Sequence, residues 1–93
     1  MLVEMVRIKF NNDGSYGVST IMVNPKHIVY LAEDERANGL VSEGRLSSGF
    51  SEHVMFTKVK LSDSGLLNEI TVIGSPESLK SKIYNQKKKL LRG

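Results

Sequence analysis

The chain has no cysteine and no tryptophan, only two prolines, and as rings only three tyrosines and three phenylalanines. Without cysteine there can be no disulfide, no thiol nucleophile and no thiolate metal site. A secreted domain of this size more often carries disulfide staples. The opening Met1-Leu2-Val3-Glu4-Met5 has neither the basic segment nor the long apolar run of a signal peptide. No apolar stretch approaches the roughly 20 residues that span a bilayer. The expectation is a soluble cytoplasmic protein without membrane attachment, whose core is made of Val, Ile, Leu and Met.

What is present suits one domain over residues 1–93. The apolar share of 40% is ordinary for a globular chain, so a folded core is expected. A chain this short buries only about two-thirds of its unfolded surface, which leaves a thin stability margin. The net charge is +3 but is unevenly placed. Residues 75–93 carry Lys80, Lys82, Lys87, Lys88, Lys89 and Arg92 against the single acid Glu77, while the rest of the chain is slightly acidic.

Hydrophobic periodicity predicts strands. Residues 5–10 alternate, with Val6, Ile8 and Phe10 on one face and Arg7 and Lys9 on the other, the pattern of a half-buried strand. Asn11-Asn12-Asp13-Gly14 then reads as a turn and residues 16–23 as a returning strand, together a hairpin. Asn24-Pro25 ends that strand, because proline has no amide hydrogen to donate. Residues 27–32 are apolar on both faces and are expected to form a central strand. Residues 53–61 and 67–73 alternate around Ser62-Asp63-Ser64-Gly65 and form a second hairpin. Between the hairpins, residues 33–51 hold Gly39, Gly44 and Gly49 with several serines, and read as a long flexible loop. Ser75-Pro76-Glu77 is a helix entry: a serine N-cap, a proline at the first helical position and an acid at the positive end of the dipole. A basic C-terminal helix follows over 75–91, regular across 76–90, with Leu79, Ile83 and Leu90 on its apolar stripe and Tyr84 and Leu91 flanking it. The fold class is α+β: about five antiparallel strands, two hairpins plus the central strand in a small curved sheet or partial barrel, with one C-terminal helix.

Catalytic signals are sparse. His27 and His53 are the only histidines. Pairing them with Glu52 or Asp34 around a metal is a weaker reading than leaving them as solvent-facing strand ends, since no metal-ligand spacing is present. Gly39 and Gly44 have the separation of a phosphate loop, but Arg45-Leu46 follows where Lys-Ser/Thr is required. No nucleophile elbow appears. The expectation is a non-enzymatic chain with no cofactor and no metal.

The order of elements, with Asn24-Pro25-Lys26-His27-Ile28, then Thr57-Lys58-Val59-Lys60-Leu61, Gly65, and a strand running into Ser75-Pro76-Glu77, resembles the small FlbD-like family of flagellar-operon proteins. The resemblance spans roughly residues 6–84, skips the long loop, and has Gly74 where that family tends to have an acid. It implies a short β-rich domain with a regulatory, non-catalytic role and no transferable site residue. Compact chains of this kind with an inserted loop also look like accessory proteins of phages.

The function expected is binding or regulation of a protein or nucleic-acid partner. Lys80, Lys82, Lys87, Lys88, Lys89 and Arg92 would supply electrostatic attraction, and the 33–51 loop, through Arg36, Arg45 and Phe50, specificity. The alternative is a homo-oligomer that holds a small, nucleotide-like anion between protomers, with the glycine-containing loop closing over it and Arg45 contacting its charge. Open sheet edges favour homo-oligomers in either case.

Overall fold

A computed structural model describes residues 1–43, 54–63 and 65–92, with side chains as far as residue 87. The first hairpin joins β1 (Val3–Phe10) to β2 (Tyr16–Val23) in an unbroken antiparallel register from Val3↔Val23 to Phe10↔Tyr16. Its turn is closed by side chains. Asn11 Nδ2 donates to Ser15 Oγ at 2.8 Å and Asp13 Oδ1 accepts the Ser15 amide at 2.9 Å, while Gly14 takes a φ of 87° that a side chain would resist. A 3-10 turn at Pro25–His27 follows, capped by Asn24 Oδ1, which accepts the Lys26 amide. Then come β3 (Ile28–Glu33), α1 (Glu35–Ser42), β4 (Phe56–Asp63), β5 (Leu66–Ile73) and α2 (Pro76–Arg92).

The five strands make one antiparallel sheet in the order β2-β1-β5-β4-β3. The two edge strands, β2 and β3, are consecutive in the chain and are joined only through residues 24–27. In a flat sheet they would be about 19 Å apart across four strand spacings and further offset along the strands. The five Cα steps from Val23 to Ile28 reach at most about 18 Å fully extended, and the 3-10 turn shortens that. The sheet must therefore curl strongly, which brings its two edges round toward each other.

Curling gives the sheet two apolar faces. On the concave face Val3, Met5, Val23, Val59, Ile70 and Val72 are buried together with Leu79 of α2, and Ile83 packs against them. On the convex face Ile8 and Phe56 are buried beneath Ala37 of α1, with Phe10, Tyr16, Val41, Val54 and Ile73 around them. Phe10 and Phe56 meet edge to face, ring centroids 5.8 Å apart. Strand β1 thus buries residues of both parities. Among the described residues ten core side chains are buried, at the usual few kcal/mol apiece, and such burial is what offsets conformational entropy.

Three expectations need correction. Residues 35–42, read as part of a long flexible loop over 33–51, form α1; residues 44–51 of that loop lie outside the described residues. The helix is held by tertiary bonds that override its internal glycine: Phe56 donates its amide to Asn38 Oδ1 at 2.8 Å and accepts the Asp34 amide at 3.0 Å. Strand β3, read as central because it is apolar on both faces, lies at the sheet edge, with Val29 and Tyr30 exposed. A register irregularity between Ile28 and Tyr30 accounts for the misleading pattern, since a bulge breaks strict alternation. Arg7, read as solvent-facing, shares the concave face with its partner Val72 and is half-buried, because that face is the one that folds inward.

Candidate functional site

The entry of α2 follows its sequence signals. Ser75 Oγ accepts the Ser78 amide at 3.1 Å, Pro76 opens the helix and Glu77 occupies its first turn. Gly74 precedes it at a φ of 126°, with Leu79 folded back to 3.7 Å of where a Cβ would stand. Leu79 and Ile83 fix which side of the helix meets the sheet, so the opposite side is solvent-facing. Lys80, Ser81, Lys82, Tyr84, Asn85, Gln86 and Lys87 are all exposed.

The cations do not form one stripe. At about 100° per residue, Lys80, Tyr84 and Lys87 fall within roughly 60° of one another, while Lys82 lies across the apolar seam on the other flank. Tyr84 is 63% exposed and falls along this flank between Lys80 and Lys87 in sequence, with a large area open to a partner. Beside it is an open concavity of about 520 Å³ lined by Glu77, Lys80, Ser81, Tyr84 and Asn85. At the far end Lys87 borders a smaller recess, about 190 Å³, together with Met1, Asn24, Pro25 and Lys26. Lys26 is a cation that sequence reasoning missed. It sits 61 residues before Lys87, and only the curl of the sheet brings the 3-10 turn under the helix. The helical backbone continues through Lys88, Lys89 and Arg92, whose side chains lie outside the described set.

The loop residues divide. Arg45 and Phe50 lie outside the described residues. Arg36 is exposed on α1 and lines a recess of about 260 Å³ with Phe10, Asp34, Ala37, Lys58, Glu69 and Thr71. That recess is balanced in charge: two cations face Asp34 and Glu69. Asp34 is 7% exposed and fully engaged, Oδ1 accepting the Ala37 amide at 3.0 Å and Oδ2 the Thr71 hydroxyl at 2.7 Å. Glu69 accepts the Tyr30 hydroxyl at 3.0 Å and lies 3.9 Å from Lys58 Nζ. The bond to Glu69, with some burial and the charge of the same carboxylate, raises the Tyr30 phenol above its ordinary range. In the first turn, hydrogen bonds from the Ser15 hydroxyl and amide hold the Asp13 carboxyl below its ordinary range.

A further recess, about 360 Å³, opens on the concave face between Arg7, Asn24, His27 and Asn68, over Ile21, Val23, Leu61 and Ile70. His27 and Asp34, considered as metal partners, flank opposite ends of β3, whose six residues hold them about 20 Å apart. His53 and Glu52 lie outside the described residues. Among the described residues no group of three His, Cys, Asp or Glu converges, and no buried side-chain nitrogen or oxygen lacks a hydrogen-bond partner. None of the described helices is long and apolar enough to cross a membrane.

Fold and surface together define a small α+β domain with a curled five-stranded antiparallel sheet, carrying a cationic helix with an exposed ring. No protein-family model, no curated protein and no solved structure matches the chain.

Proposed function

We propose that this chain is a small non-catalytic binding protein that engages single-stranded nucleic acid through the outer flank of α2. The observation that carries the reading is the placement of Tyr84, open to solvent, between Lys80 and Lys87 on one side of the helix. Cations attract a phosphate backbone whatever its sequence, and an exposed ring among them offers a surface on which a base can stack. An acidic protein would use the lysines equally well but has less need of the ring. Lys26, brought beside Lys87, extends the cationic surface, and Lys88, Lys89 and Arg92 continue it along the same helix in sequence. A regulatory role, as the FlbD-like resemblance implies, is compatible with such a surface. The rival reading, an anion held under the loop, draws less support from Arg36, whose recess already contains as many acids as bases.

Fluorescence anisotropy with labelled single-stranded oligonucleotides over a series of salt concentrations tests this. Tyr84→Ala is expected to cost about 1–3 kcal/mol of binding free energy. Neutralising Lys80 and Lys87 together should flatten the slope of log K against log salt by about 0.7 for each phosphate that is no longer neutralised. Neutralising Lys87, Lys88 and Lys89 should act in the same direction. Binding that is undetectable at low salt, or unaffected by all these changes, overturns the reading.

A further inference from the structure

We infer that β2 is a self-pairing edge, through which two copies of the chain join by antiparallel β2–β2 pairing about a twofold axis at Thr20. The direction of the backbone groups follows from the first hairpin. The Asn11 amide donates to the Ser15 carbonyl at 2.9 Å, so Ser15 points at β1. Successive residues of a strand point to alternate sides, and the register with β1 has no slip. Gly17, Ser19, Ile21 and Val23 therefore use their amides and carbonyls on β1, whereas those of Val18, Thr20 and Met22 point away from it. Among the described residues no strand lies on that outer side.

The two edges of the sheet are treated differently. Edge strands invite pairing unless charge, proline, a bulge or shortness blunts them. Within its own bounds strand β3 has three of these: six residues only, a register irregularity between Ile28 and Tyr30, and Glu33 at one end. Strand β2 has none. It is eight residues long, regular, and without a charged side chain or proline.

The side chains select a second copy as the occupant. Pairing Thr20 with the Thr20 of a second copy sets Val18 opposite Met22 twice, once on each side of the axis. These are the two large apolar side chains that β2 exposes, at 51% and 57%. Thr-Thr and apolar cross-strand pairs are both favourable, whereas a symmetric pairing sets any charge close to its own copy. An uncharged strand with its apolar residues evenly placed about a central threonine is its own complement. The pairs at residues 18, 20 and 22 are all of the hydrogen-bonded kind. Val6, the neighbour of Thr20 on β1, borders the same apolar patch.

The absence of native cysteine makes the test clean. In the proposed dimer the two Thr20 Cα atoms lie about 5.5 Å apart, within disulfide range, while the two Val18 Cα atoms are roughly 13 Å or more apart. Under mild oxidation of the full chain, Thr20→Cys should form a covalent dimer at least about tenfold faster than Val18→Cys, since only the former falls within the distance a disulfide allows. Equal rates, or no cross-link in either, overturn the register. Independently, unmodified protein should sediment as a dimer and Thr20→Lys, which opposes two ammonium groups on the axis, as a folded monomer by circular dichroism. A wild-type protein that sediments as a monomer, or a Thr20→Lys protein that stays dimeric, overturns the proposal, the latter leaving another surface as the interface. A monomer that pairs only with an added extended peptide would assign the edge to a foreign strand instead.

Discussion

At the scale of single residues, the most informative interaction is the one between Tyr30 and Glu69. It crosses from edge strand β3, over β4, to β5, and Lys58 on β4 lies on the other oxygen of the same carboxylate. The carboxylate accepts from the phenol only while the phenol keeps its proton, which is why the Tyr30 value is raised. A raised value means that the folded state favours the protonated form. The contribution is therefore fully present below the ordinary tyrosine range near pH 10 and is lost as pH rises through the higher folded value. Because the pair is exposed, its effect is read as a titration. In a Tyr16→Phe/Tyr84→Phe background, where Tyr30 is the sole phenol, Glu69→Gln should move the phenolate absorbance midpoint to lower pH. An unmoved midpoint would show that the bond is not formed in solution.

At the scale of elements, α1 depends on one carboxylate. Asp34 caps the helix through Ala37 and ties it to β5 through Thr71, so a single side chain sets both the start of the helix and its seat on the convex face. Asp34→Ala should destabilise the fold by about 2 kcal/mol, the sum of a missing cap and a hydroxyl left without its acceptor. Asp34→Asn, which can still cap, should destabilise less. Urea unfolding midpoints measure both. The helix was in fact written in the sequence: Asp34 as cap, Glu35 in the first turn, then Ala37, Leu40 and Val41 at helical spacing. The glycine at 39 and the serine-rich stretch beyond hid it. Strands β1, β2, β4 and β5 and the entry to α2 were legible because period-two alternation and local capping need only neighbours in sequence. The edge position of β3, the inward turn of Arg7 and the approach of Lys26 to Lys87 were not, because each depends on the curl of the whole sheet. For the candidate site, the lysines of α2 were visible as composition. The stripe of Leu79 and Ile83 was legible too, but Tyr84 was read as flanking it, and how far its ring stands open to solvent depends on how the helix seats on the sheet.

At the scale of the molecule, the two proposals reinforce each other geometrically. Antiparallel pairing of β2 about a twofold axis keeps like faces of the two sheets on one side, so both copies of α2 would lie on the same side of a ten-stranded sheet. Two weak single-strand sites on one particle bind a long strand more tightly than either alone, by an effective concentration that their spacing sets. A dimer-breaking change in β2, far from any lysine, should then weaken binding to long oligonucleotides more than to short ones.

The seam between the two hairpins also governs how fast the chain reaches this shape. Arg7 and Val72, the pair that joins β1 to β5, are 65 residues apart in sequence, so the seam forms only when the two hairpins come together. Each hairpin closes locally, but the seam must overcome a long loop's closure entropy before any concave-face burial offsets it. Pairings of such high sequence separation place refolding in the millisecond-to-second range rather than the microseconds of a helical domain of equal length. Stopped-flow refolding checks this, and a microsecond phase carrying the full amplitude would contradict it. While the seam is open, β2 offers its unblunted outer side with no concave face buried behind it, so the folding chain is most exposed to aggregation during the interval before Arg7 meets Val72.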